Sequence, residues 1–287
     1  MRTRVLGIVL VALSLVNVAA AGKDREADGK KTWEPTDIDA FVPSVDTSHP
    51  CPLPAVLDVA SRQVRKLVEN LQQFSAREKL EYWELNRDGQ AGSVRTATFT
   101  YVADIHEVRP GQYSVDEYRN DWTGDQSFPS RFATMGTAAF ALIFHPFYIG
   151  DFNITCEGLA QVDGHPAWQV HFAQTRPNNF RYYRAANNLY KIELKGRAWI
   201  AQDTHQVIRL ETDLLHPIHE VRLTREHVVI DYGPVHFRRH DQSLWLPQTA
   251  TIHMDSRGHH YLHRHSFSDF KLFSVDTQQT AKVPENR

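Results

Sequence analysis

Ten of the sixteen histidines fall between His216 and His265, a density that raises metal chemistry first, because neutral imidazole is a good ligand for Zn²⁺ and its neighbours. Spacing decides whether a site exists. With Asp255-Ser256-Arg257-Gly258 as a hairpin turn, the flanking strands pair Met254 with His259, His253 with His260 and Ile252 with Tyr261. His253 and His260 would then face each other with β-carbons about 5 Å apart, close enough to share a Zn²⁺. His263 and His265 fall on the other face, beside Ala250, Ile252, Tyr261 and Phe267. The cluster thus splits into two pairs, neither with a third ligand of its own. There is no H-E-x-x-H, and Pro217 interrupts the H-x-x-H that begins at His216. Polar strand histidines are the stronger reading, a pH-responsive patch the next. His253 and His260 remain weak metal candidates, and no metal or other cofactor is expected.

Other chemistry finds less support. The chain has no G-x-S-x-G, no G-x-G-x-x-G and no G-x-x-x-x-G-K, so a hydrolase elbow, a dinucleotide fold and a nucleotide site are without signature. Glu78, Glu81 and Glu84 stand three apart beside Tyr82 and Trp83; they read as the polar residues of a solvated strand or helix start rather than an acid–base pair. Tyr182, Tyr183 and Tyr190 in "RYYRAANNLYKIELKGR" could stack on sugar or peptide, but read as tyrosines scattered through a polar loop. No catalytic residue is expected and the protein is read as non-enzymatic.

Arg2 and Arg4 precede an apolar run from Val5 to Leu15, and Val18-Ala19-Ala20-Ala21 offers small residues to a peptidase. Residues 1–21 are therefore read as a cleaved signal peptide rather than an uncleaved anchor, because the apolar run is short of the ~20 residues that a membrane span needs. The mature chain, exported to the periplasm or cell envelope, loses two arginines and no acid. That leaves it weakly acidic, with no basic run to suggest nucleic acid, although peripheral membrane contact stays possible. An exported chain with two cysteines, Cys51 and Cys156, is expected to join them, free buried thiols being the alternative.

Residues 22–50, charged and broken by Pro35, Pro43 and Pro50, read as a flexible spacer. One domain is expected over 51–276, with a tail at 277–287. It opens on an amphipathic helix in which Val56, Ala60, Val64, Leu67, Val68 and Leu71 recur at three- and four-residue steps. The period then changes to two, and hairpins succeed one another: residues 78–90 with 93–108, 152–162 with 167–174, and a run of strands from Arg197 to Phe273. Between the halves lies "RFATMGTAAFALIFHPFYIG", whose stretch from Phe132 to Phe144 can be helical before Pro146 stops it. It is apolar nearly all round, so it must be covered on most sides. A core helix and a plug lining a ligand cavity both fit.

In "GRAWIAQDTHQVIRLETDL" the second arm places Ile208, Leu210, Thr212 and Leu214 on a dry face and Arg209, Glu211 and Asp213 on a wet one. The first arm puts Ala198 and Ile200 on one face and Trp199 and Ala201 on the other, which suits a strand covered on both sides. This hairpin (Trp199 to Glu211), the leading amphipathic helix and the strand "LWLPQTATI" (Leu244 to Ile252) resemble the periplasmic lipoprotein-carrier superfamily, LolA-like proteins and their sensor-domain relatives, over about residues 55 to 275. The resemblance implies a half-open antiparallel barrel, partly closed by helices, that holds acyl chains on its concave face.

The expected fold is thus α+β: one strongly curved antiparallel sheet, a half-barrel, with the amphipathic helix and the apolar helical segment on its concave side. The expected function is binding of a lipid or a lipidated protein's acyl chain through Phe132, Met135, Phe140, Ile143, Phe144, Phe147, Ile208 and Leu210. An envelope sensor or structural module with a protein partner is the alternative, and a histidine-based metal enzyme the third.

Overall fold

The computed structural model describes residues 35–70, 73–86, 88–110, 112–126, 128, 137–178, 181–185, 188–237 and 242–273. The expected signal peptide, the spacer up to residue 34, Leu71, Phe132, Met135 and the C-terminal tail lie outside them.

The helix α1 (Leu53–Asn70) begins where Pro52 and Pro54 need no amide hydrogen of their own, with the Ala55 and Val56 amides donating to the Pro52 carbonyl. Val56, Ala60, Val64 and Val68 form its buried stripe. At the far end Asn70 Nδ2 donates to the Lys66 carbonyl at 2.7 Å, satisfying an acceptor that the helix leaves open. Just before the helix, Cys51 is bonded to Cys156, with Cα atoms 6.4 Å apart. The expected disulfide is present.

A single sheet of ten strands holds β1 (Gln73–Leu85), β2 (Arg95–Arg109), β3 (Gln112–Gly124), β4 (Phe152–Val162), β5 (His165–Gln174), β8 (Leu194–Ala201), β9 (Val207–Leu214), β10 (Leu223–Phe237), β11 (Gln242–Ser256) and β12 (His259–Phe273). A separate hairpin is formed by β6 (Tyr182–Ala185) and β7 (Asn188–Lys191). The spatial order is β3-β2-β1-β12-β11-β10-β9-β8-β5-β4, antiparallel throughout. First and last strands are neighbours inside it, third and fourth from one edge; the two edges are β3 and β4, joined in sequence by the crossover that carries the apolar segment. The sheet is not closed by its own strands.

Three register features revise the sequence reading. Leu223–Phe237 is one strand, β10, running through the Pro234 that would interrupt a strand read from sequence. β9 pairs only with His227–Asp231 of β10, so Pro234 lies where no β9 partner asks for its missing amide. The β11–β12 hairpin turns on two residues, Arg257 and Gly258, both at positive φ. Its pairs are therefore Met254 with Tyr261, Asp255 with His260 and Ile252 with His263. The third feature is a bulge between β8 and β9: Trp199 pairs with Arg209 but Ile200 with Val207, leaving Ile208 unpaired.

The main core lies on one face of the sheet. It joins the stripe of α1 to Phe74, Leu80, Tyr101, Phe172, Leu210, Ile230 and Ile252 and to the apolar segment. A smaller cluster on the opposite, outer face gathers Ala160, Ala167, Trp199, Ala201 and Ile208 with Val45. Strand β8 is thus covered on both sides, as its composition suggests. The outer cover comes from residues expected to be spacer. Ile38 is buried, and Asp46 bridges to Leu159. Gly158, at φ +145°, leaves room for this arm: a β-carbon there would lie 2.9 Å from the Asp46 carbonyl oxygen.

Candidate functional site

The segment expected as an apolar helix is a 3₁₀ turn, Ala138–Phe144, followed by a second short turn at Ile149–Asp151. Phe140, Leu142, Ile143 and Phe144 are buried on the core face of the sheet, where each contributes roughly 1.5–3 kcal/mol of apolar burial. Phe144 meets Phe172 edge-on at 6.0 Å. The Phe172 ring in turn lies across Gly196, where a β-carbon would come within 2.4 Å of it.

Polar contacts hold the two ends of this segment. At its start the Ala138 amide donates to Glu117 Oε1 at 3.2 Å, and the same oxygen accepts the Tyr101 hydroxyl at 2.7 Å. Burial pushes the Tyr101 phenol well above its usual range, which keeps the hydroxyl a donor. Past its end, the Tyr148 hydroxyl accepts from the Tyr113 amide at 3.0 Å and donates to the Tyr113 carbonyl at 3.2 Å. Both Glu117 and Tyr113 belong to β3, so the crossover is fastened to one edge of the sheet. On the other side the Arg181 guanidinium lies 4.2 Å from the centre of the Phe140 ring and pairs with Glu226 of β10 at 2.6 Å. Neighbouring His145 is buried, with its pKa lowered to about 4 by burial and by the charge of Arg65.

The core face also carries an ionic group. Glu78, fully buried, accepts from Arg119 Nε at 2.5 Å and Nη2 at 2.9 Å, and from His265 Nδ1 at 2.7 Å. Burial alone would raise its pKa; the His265 hydrogen bond and the Arg119 charge outweigh that and hold it at about 2. His263 lies beside Tyr82, and burial lowers its pKa to about 3, with His265 adding to the effect. This group was missed in the sequence, where Glu78 was read as solvated. The alternation Phe74, Ala76, Glu78, Leu80, Tyr82 was the available signal.

The outer face holds a second polar system, which latches the arm. Arg197 forks onto Glu157 at 2.7 and 2.9 Å and donates to the carbonyls of Ile38 and Phe41. Lys195 reaches Asp37 and Asp39, and the Ile38 amide donates to Asp213 at 2.9 Å. Asp213, expected on a wet face, is buried here, because the arm replaces solvent. His227 sits between Asp213 (2.9 Å) and Glu211 (3.2 Å), facing His253 across the ladder. Burial disfavours its charge, but the two carboxylates outweigh burial and raise its pKa to about 9; His253 is lowered to about 4 by its own burial and then by the His227 charge. A group whose folded pKa is raised stabilises fully below the unfolded value near 6.5 and loses that contribution as pH climbs through the folded value. The melting temperature is therefore expected to fall by several degrees between pH 6.5 and pH 9.5, and His227→Gln to flatten that alkaline limb. Parallel alkaline limbs in the two proteins would contradict this.

Of the ligand residues proposed from sequence, Phe140, Ile143, Phe144 and Leu210 meet in the main core. Phe147 is half exposed, packed edge-on against Tyr148. Ile208 is in the outer cluster, turned there by the bulge, so the face expected for it alongside Leu210 is corrected. His253 and His260 do not face each other: the two-residue turn pairs His253 with Leu262 and His260 with Asp255. His263 and His265 do take the opposite face, paired with Ile252 and Ala250. Among the described residues no three His, Cys, Asp or Glu side chains are grouped to hold a metal ion. The tyrosines expected in a loop are strand residues, Tyr183 paired with Tyr190. A cleft of about 190 Å³ lies between α1 and the strand ends near Gln206 and Trp245, and another of about 300 Å³ lies beside Arg77, Thr98 and Ser266. No helix among the described residues is long and apolar enough to cross a membrane.

No protein-family model matches the chain, and no curated protein matches it. Among solved structures it is similar to a DUF1329 family protein from Desulfovibrio piger, at 12% identity over 79% of this chain and 95% of that one, with a TM-score of 0.43. It is also similar to a LolA superfamily protein from Nitrosomonas europaea, at 8% identity over 75% of this chain and 94% of that one, with a TM-score of 0.36. A third similarity is to the MucA/MucB complex of Pseudomonas aeruginosa, at 12% identity over 75% of this chain and 99% of that one, with a TM-score of 0.21. The LolA superfamily is the one the sequence itself resembles.

Proposed function

We infer that this is a non-enzymatic, exported envelope protein that binds an acyl chain, from a lipid or a lipidated protein, between the core face of its sheet and the crossover segment. The sheet would curve into a half-barrel whose concave side is the core face. One observation carries the reading. An apolar segment, Ala138–Phe144, covers the apolar face of a sheet that its own strands do not close, and polar groups fasten it near its ends. Phe140, Ile143 and Phe144 now occupy the space that an acyl chain would take. A ligand replacing these side chains would exchange one apolar contact for another, at little cost in exposed surface. The polar fastenings set how firmly the segment returns.

Native mass spectrometry of protein isolated from an envelope fraction tests this. A co-purified species of lipid mass is expected on the unaltered chain and not on Phe144→Asp, which sets a charge against Phe172 in the binding space. Phe144→Leu keeps the face apolar and is expected to keep the ligand. A chain that is always empty, or one whose lipid is indifferent to Phe144→Asp, would sink the reading.

A further inference from the structure

Three largely buried arginines differ in how they are satisfied. Arg119 forks onto Glu78 through two nitrogens, and Arg197 forks onto Glu157 while also serving two carbonyls. Arg181, only 7% exposed, pairs through Nη2 with Glu226, but its Nη1 is buried and meets no hydrogen-bond partner among the described residues. A buried charged donor left unfilled costs more than a neutral one, and a guanidinium is built to offer paired donors to a planar or tetrahedral oxyanion.

Its position adds to the argument. The face of the guanidinium is covered by the ring of Phe140, which belongs to the segment that an acyl ligand would displace. Phe144 and Phe172 continue the apolar path away from Phe140 along the core face. A ligand that moved the Phe140 ring would run its chain along that path and bring its end to the Nη1 atom. Glu226 balances the arginine's charge in the unloaded state and opposes an incoming anion, so the pair admits a head group that hydrogen-bonds well rather than any negative charge.

The geometry points to Arg181 as the receptor for an anionic head group, and so to a ligand class: a single acyl chain ending in a carboxylate or a phosphate. This rests on the acyl-binding reading and narrows it. Calorimetric titration of the delipidated full chain with dodecanoate, dodecyl phosphate and the neutral dodecanol tests it. At least one anion is expected to bind about tenfold or more tightly than dodecanol, the worth of one charge-assisted hydrogen bond. Which anion does so separates a fatty-acid-like from a phospholipid-like head.

The double variant Arg181→Gln with Glu226→Gln leaves no unpaired buried charge and is expected to bind all three probes alike. Glu226→Gln alone should strengthen anion binding several-fold. Arg181→Lys keeps the charge but loses the fork, and is expected to cut the preference; it carries the test if circular dichroism shows the double variant unfolded. Equal affinities for the three probes in the unaltered chain, or an anion preference that survives these changes at Arg181, would overturn the anionic head and leave the acyl reading standing. No binding of any probe would overturn both.

Discussion

Arg119→Met is expected to destabilise the fold by about 3–5 kcal/mol, because it strips a fully buried carboxylate of its cation while leaving the charge in place. Glu78 of β1 lies between β2 and β12, pairs with Arg119 of β3 and is fully buried, and burial opposes its ionised form. With Arg119 gone, the His265 hydrogen bond is left against that penalty, so the carboxyl pKa should rise. The acid limb shows the change. In the unaltered chain the depressed pKa of about 2 means that this group stabilises fully above its unfolded value near 4.5, and that the contribution fades as pH falls from there through 2. In Arg119→Met the acid transition should begin at higher pH. Adding Glu78→Leu to Arg119→Met should restore much of the lost stability, since two apolar side chains replace a charge pair. Urea unfolding at pH 7 with an acid titration of each variant checks all of this. A loss below about 1 kcal/mol, the size expected of an exposed pair, would mean that the group is solvated.

Glu78 also marks where the sequence was readable and where it was not. The helix α1 was legible because solvent on one side and core on the other impose a 3.6-residue period, and Val56, Ala60, Val64 and Val68 keep it. Strands with one dry face were legible for the same reason. A charge on the dry face defeats that logic: Glu78 looks solvated until its partners on β3 and β12 are known, and these lie 41 and 187 residues away. Strand β3 was missed because "QYSVDEYRNDWTG" spends its length on polar residues, as an edge strand does.

Registers failed for a more local reason. A four-residue turn at Asp255 and a two-residue turn at Arg257 give His253 different partners from almost the same sequence, and the difference lies in backbone angles at Arg257 and Gly258. The unpaired Ile208 is a similar case: alternation assigns it to the face of Leu210, but one extra residue in the ladder reverses it. The arm from Ile38 to Asp46 was read as spacer because its proline and charge content is that of a solvated segment. Its charges are instead matched across the outer face, by Lys195 and His171. Of the site, the apolar segment was legible from composition. Its fastenings to Glu117, Tyr113 and Arg181 were not, since each depends on a distant strand or loop arriving at the segment.

Replacing Cys51 and Cys156 by serine is expected to remove about 2–4 kcal/mol of stability, below the ~4–5 kcal/mol that loop entropy alone predicts for a loop of this size. The bond spans 105 residues, and the intervening chain includes α1, β1, β2, β3 and the whole crossover. Its ends fasten the start of α1 to β4, the edge strand opposite β3. Loss of the bond therefore loosens α1 against that edge as well as enlarging the unfolded ensemble. Because α1 touches the apolar segment, its opening and that of the segment should be coupled. Hydrogen exchange separates the two effects: amides of α1 and of residues 140–144 should exchange faster in the serine variant under native conditions, while those of β10 and β11 in the sheet centre change only with global stability. Reducing the unaltered protein should reproduce the urea midpoint of the variant. If reduction left the midpoint unchanged, the bond would be carrying no stability; if exchange rose equally everywhere, the disulfide would act on the unfolded chain alone and not on the cover over the candidate site.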